Sequence, residues 1–146
     1  MFNINTTMTK IINIENKNQL LAAKYEHERL IFLISGGFCK PCQVLKPNLH
    51  TLLENNDNYG IVLAKITYET ARDMKHETAK EMNGYFDLKK IPFLVCYNDT
   101  KKIDSLQSSK IDLVKPFLEK SFGIEMIYPQ TKEEEESDDE FMAFDF

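Results

Sequence analysis

Cys39-Lys40-Pro41-Cys42 brings together the residues of this chain whose types and spacing could do covalent chemistry. A thiolate at the first position can attack a disulfide sulfur. A second thiol one helical turn on can then attack the mixed disulfide and release the reduced product. The flanks suit this chemistry. An apolar run at 30–35 ends in Gly36-Gly37, and helical spacing begins at Lys40, so the pair falls where a helix opens. Unpaired backbone N–H groups and the positive end of the helix dipole favour thiolate over thiol there. Pro41 fits a first turn, which needs no N–H at that point, and Lys40 adds a modest cationic bias. The Gly-Gly lead-in predicts a pair at a surface edge, not two inert core thiols.

Cys-x-x-Cys also begins many zinc sites, but those need two further ligands at recognisable spacing. The candidates are Cys96, His27, His50 and His76, and none makes a second paired motif. No metal site is assigned. The three histidines fall on predicted helices beside charged residues, which places them at the surface. Cys96, inside Phe93-Leu94-Val95-Cys96-Tyr97, reads as a small core residue. Three cysteines do not make a disulfide framework, and in a reducing compartment a lone Cys-x-x-Cys reads as catalytic before structural. The start of the chain lacks a basic-then-apolar leader, and the longest apolar run, 30–34, is too short to span a bilayer. The expectation is a cytoplasmic chain without a membrane partner. Lys far exceeds Arg, and Asn and Ile are abundant, which suits an AT-rich genome such as that of a protist or a large DNA virus.

Periodicity supplies the elements that would hold the pair. A short strand is predicted at 10–14, then a helix at 19–28 capped by Asn16 or Asn18, with Leu20, Ala23 and Tyr25 facing inward. The run 30–35 has no polar alternation and suits a central strand buried on both faces. Val44, Leu45, Leu49, Leu52 and Leu53 recur at helical spacing, so 40–55 reads as a helix kinked at Pro47. A strand is expected at 60–66 and a long helix at 68–83 on Tyr68, Ala71, Met74, Thr78 and Met82. A strand at 91–97, a turn at Asn98-Asp99-Thr100 and a strand at 101–106 make a hairpin. The stripe Ile111, Val114, Phe117, Leu118 and Phe122 gives a last helix, whose start Pro116 could delay. Alternating strands and helices followed by a hairpin define an α/β layer with a mixed sheet.

Charge divides the chain. Net charge is −5, yet from Thr131 onward eight acids face one lysine, so that stretch carries −7 and the preceding 130 residues +2. A near-neutral body offers no electrostatic case for nucleic acid. We divide the chain into an N-terminus of 1–8, a domain of 9–123 and an acidic tail of 124–146, with 132–146 predicted to be disordered. The tail ends Phe141-Met142-Ala143-Phe144-Asp145-Phe146. Solvation alone does not require phenylalanines, so Phe141, Phe144 and Phe146 are candidate anchors for a protein partner.

Phe38-Cys39-Lys40-Pro41-Cys42 resembles the Trp-Cys-Gly-Pro-Cys of the thioredoxin family, with Phe for Trp and Lys for Gly. Pro47, five residues after Cys42, falls where that family has its helix-kinking proline, and Ala64-Lys65 resembles the Ala-Lys of its third strand. Phe86-Asp87-Leu88-Lys89-Lys90-Ile91-Pro92 is similar to the family's Tyr-Gly-Ile-Arg-Gly-Ile-Pro, whose proline is cis and faces the cysteines. The resemblance spans about residues 9–122. It implies a thioredoxin fold, an α/β architecture whose central mixed β-sheet is flanked by helices on both faces. The activity implied is that of a dithiol–disulfide oxidoreductase, with Cys39 attacking and Cys42 resolving. Phe38, Lys40, Pro41, Ile91 and Pro92 would bind substrate, with a substrate chain pairing strand to strand at Ile91. Protein disulfides and a disulfide reductase or thiol pool are the implied partners, and no cofactor is implied.

The departures are specific. The family's buried Asp, six residues before the first Cys, falls on Leu33, which removes the carboxylate implied in proton transfer at the second cysteine and leaves Lys65 without its usual partner. The Trp is reduced to Phe38. The interval from Lys65 to Pro92 is long, and the groove glycine is not recognisable near Leu106-Gln107. These losses support an alternative in which a redox-weak module of the same fold docks a partner through its tail.

Overall fold

Seven residues without a polar break other than the terminal Arg29 and Ser35 must lie between two apolar layers, and Arg29–Ser35 does. Leu30, Phe32 and Ile34 enter one core while Ile31 and Leu33 enter the other, as the two-residue period of a strand requires. The computed structural model describes residues 10–74 and 91–128. The described elements are β1 (Lys10–Ile14), α1 (Lys17–Glu26), β2 (Arg29–Ser35), α2 (Lys40–Glu54), β3 (Ile61–Thr67), α3 (Tyr68–Asp73), β4 (Phe93–Asn98), β5 (Lys101–Gln107) and α4 (Ile111–Phe122).

The strands form one sheet in the order β1-β3-β2-β4-β5. β1 and β2 each run parallel to β3, whereas β4 runs antiparallel to both β2 and β5. Leu20 and Ala23 of α1 and Ala71 of α3 fill one core, and α2 and α4 supply the other. The expected mixed sheet with helices on both faces is therefore observed. Parallel pairing through helical crossovers covers both faces of the central strands, which explains the unbroken apolar runs.

Several expectations are corrected in detail. α1 opens at Lys17, because Asn16 accepts the Gln19 N–H at 2.9 Å and so caps the helix. Tyr25, expected inward, is 65% exposed, since the buried stripe of α1 is only Leu20 and Ala23. Val44 is likewise exposed on the outer side of α2. Pro47 lies inside α2, which continues to Glu54. α4 begins at Ile111 despite Pro116. Asp112, whose carbonyl loses its partner at Pro116, is exposed and can be served by water. The helix expected at 68–83 ends at Asp73 with Met74 as its cap; residues 75–83 lie outside the described residues. So do residues 1–8, His76, the segment 86–90 with Lys89 and Lys90, and the acidic tail from 129 onward.

The packed chain continues past the expected boundary at 123. Gly123, at φ 66°, ends α4 in the left-handed conformation. Residues 124–128 then return across the end of α2. Buried Asn56 holds them: its side-chain amide donates to the carbonyl of Ile127 at 2.7 Å and accepts the Ile127 N–H at 2.8 Å. The Tyr59 hydroxyl donates to the Glu125 carbonyl at 2.6 Å.

Candidate active site

Ser35 ends β2, Gly36 and Gly37 turn the chain, and Cys39 becomes the N-cap of α2. Its N–H donates to the Gly36 carbonyl at 3.1 Å. Cys39 and Cys42 are joined as a disulfide with their Cα atoms 5.3 Å apart. The Cys42 N–H donates to Cys39 Sγ at 3.2 Å, so a helix-terminal donor that would otherwise lack a partner serves the sulfur. The same donor would stabilise a Cys39 thiolate once the disulfide is reduced. Pro41 occupies the first turn and Pro47 the middle of the same helix.

β4 supplies the opposite wall. The Ile91–Pro92 peptide bond is cis, and Cys39 Sγ lies 3.7 Å from the Ile91 carbonyl oxygen. Cys39, Cys42, Ile91 and Pro92 thus converge from two elements 52 residues apart in the chain, measured from Cys39 to Ile91. Phe38 is 66% exposed, Lys40 and Pro41 are exposed, Ile91 is half-buried and Pro92 is buried. The pair itself is more enclosed than the Gly-Gly lead-in implied: Cys39 is 7% exposed and Cys42 is fully buried. Of the two only Cys39 retains any exposure, because Cys42 already lies on the inward stripe of α2 with Leu45 and Leu49.

One neighbour escaped the sequence reading. Tyr68 packs edge-to-face against Phe38 with ring centroids 5.6 Å apart, and the Arg72 guanidinium lies 5.9 Å from the Tyr68 ring centre. Gly36 makes room for this pair, since a side chain there would strike the Phe38 ring at 2.5 Å. The sequence placed Tyr68 only on a helical stripe; nothing in its spacing pointed to Phe38.

Leu33 stands on β2 where the resemblance expects a buried acid. Leu33 is fully buried and stands in register with Lys65 on β3 and Leu94 on β4, so no carboxylate occupies that position. Cys96 is fully buried, and burial pushes its thiol up to about 12, against a smaller opposing effect of the Ser121 side chain. His50 is not the surface residue expected. It is half-buried, its Nε2 lacks a partner among the described residues, and its pKa is lowered by burial and then by Lys65 and Lys46. His27 caps the end of α1. Among the described residues no group of three or more His, Cys, Asp or Glu side chains is placed to hold a metal ion.

Comparison with known proteins agrees with this geometry. No family model matches the chain. It is 26% identical over 107 residues to a thioredoxin of Ictalurus punctatus, an overlap covering 72% of this chain and 92% of that protein. A thioredoxin of Coprinus comatus is 27% identical over 86 residues, which is 59% of this chain and 74% of that one. The solved structure of a single-site mutant of thioredoxin from Halobacterium salinarum superposes with a TM-score of 0.63 at 18% identity, covering 80% of this chain and 95% of that one. At that identity the structure speaks for the fold.

Proposed function

This chain is a thioredoxin-family protein, and from that premise we propose that Cys39 and Cys42 reduce disulfides in protein substrates. The observation carrying the proposal is the disulfide at the start of α2, with its first cysteine slightly exposed and its sulfur beside the Ile91 carbonyl. In the reduced chain the Cys39 thiolate attacks one sulfur of the substrate disulfide. The substrate S–S bond breaks, a mixed disulfide forms, and the leaving thiolate takes up a proton. Cys42 then loses its proton and attacks Cys39 Sγ. The mixed disulfide breaks and the second substrate thiolate leaves and is protonated. Two electrons pass from the dithiol to the substrate. A disulfide reductase or a thiol pool returns them to Cys39–Cys42, and no cofactor within the chain takes part.

Phe38, Lys40, Pro41, Ile91 and Pro92 form the substrate surface in this reading. An extended substrate segment pairs with the backbone at Ile91 while its apolar side chains meet Phe38 and Tyr68. A reducing, cytoplasmic compartment suits the direction. The tail carrying Phe141, Phe144 and Phe146 is proposed to dock a protein partner, and deletion of 131–146 followed by comparison of bound partners tests that role. Insulin reduction with dithiothreitol tests the activity itself. Cys39→Ser should fall to the dithiothreitol-only rate, and wild-type activity in that variant would overturn the proposal.

A further inference from the structure

Lys65 points from β3 toward α2, on the same sheet face as Leu33 and Leu63, yet the strand beside it offers leucine where a counter-charge would stand. Half-buried Lys65 instead helps line a cleft of about 200 Å³ at the ends of β1, β2 and β3. Lys46, one turn beyond Cys42 on α2, lines the same cleft, as do Ser35, Thr67 and Thr70. Glu15 is the one carboxylate-bearing residue among those lining it. Among the described residues neither lysine makes an ion pair. Burial first, and then these two lysines, lower the proton affinity of half-buried His50, one turn from Lys46. Glu54 opposes that effect.

We propose that this cleft binds a phosphate-type oxyanion. Two ammonium groups, one from β3 and one from α2, supply charge, and the hydroxyls of the lining residues supply neutral donors. The Thr67 and Thr70 hydroxyls lie 3.0 Å apart, and because only one of them donates to the other, the second keeps its proton for a ligand. The volume admits an oxyanion together with ordered water, a water molecule occupying ~30 Å³. The anion takes the place of the counter-charge that Leu33 does not provide.

The test uses the full chain and reads no disulfide chemistry, so its outcome is separate from that of the redox proposal. Sodium phosphate is titrated at constant ionic strength balanced with sodium chloride, and backbone amide shifts are followed by NMR. The expected result is one saturable set of shifts at Ser35, Lys65, Thr67 and Thr70. Lys46→Gln and Lys65→Gln should each weaken binding by about tenfold or more, as expected when a charged partner is removed. Lys102→Gln, on β5, should leave it unchanged. Non-saturating shifts, saturation elsewhere, or equal affinity in Lys46→Gln would overturn the assignment. Lys46→Gln changes a side chain near the surface of α2, so it keeps the test decisive if Lys65→Gln fails to fold.

Discussion

The two sulfurs of the disulfide differ in almost every respect except identity. Cys39 caps a helix, receives an N–H and retains some surface, whereas Cys42 is fully buried on the inward stripe of α2. In the proposed reaction attack is assigned to the first and resolution to the second, and Leu33, in register with Lys65, leaves no acid at that point of β2. Leu33→Asp should lower stability by ~2–3 kcal/mol, because it buries a carboxyl group. It should also add an ionisation to the pH–rate profile of insulin reduction, above the ordinary Asp value of ~3.9 because burial disfavours the charged form. An unchanged profile would show that the position has no influence on Cys42. The third cysteine makes a simpler case. With the native pair bonded, a thiol-detecting reagent should find no reactive group until the chain unfolds, when Cys96 appears. Rapid reaction in the native state would contradict its burial.

At the scale of elements, the strongest apolar patterns were legible because they are set by the sheet. The run 30–35 announced a strand covered on both faces, and the α2 stripe continued through Pro47 as its periodicity required. Cys39 and Cys42 were likewise readable from spacing and helix position. What could not be read depends on long-range packing. Tyr68 against Phe38 and Asn56 holding Ile127 join residues far apart in sequence, and no local propensity encodes them. The exposed side of α1, with Tyr25, misled for a related reason: a helix with two buried residues carries little periodic signal.

Two changes test the elements. Asp99 and Thr100 both have positive φ, 55° and 70°, in the two-residue turn between β4 and β5. A β-branched residue is poorly suited to that backbone, so Thr100→Gly should raise stability by ~1 kcal/mol in urea unfolding. A loss of stability would show that the Thr100 side chain holds the turn. Asn56→Ala leaves both the N–H and the carbonyl of Ile127 without their buried partner, and should cost ~2 kcal/mol.

For the whole molecule, the returning segment joins acid stability to α4. The Glu119 carboxylate accepts the Met126 N–H at 2.8 Å and then the Lys115 ammonium at 3.1 Å, and these bonds hold its pKa below the ordinary value. A lowered folded-state pKa means its contribution is complete above the unfolded value and declines as pH falls through the folded one. Glu119→Gln should therefore be less stable than wild type near neutrality, with the difference shrinking at acid pH. A constant difference across that range would remove ionisation as the cause.

The central claim is that Cys39 attacks and Cys42 resolves at a site assembled from α2 and the start of β4. It is tested most directly by trapping the intermediate. Reduced Cys42→Ser, mixed with a disulfide-bonded protein substrate, should accumulate a covalent complex through Cys39 that dithiothreitol dissolves and mass spectrometry locates. Cys39→Ser should trap none, its remaining thiol being enclosed. A complex formed through Cys42, or none in either variant, would contradict the account.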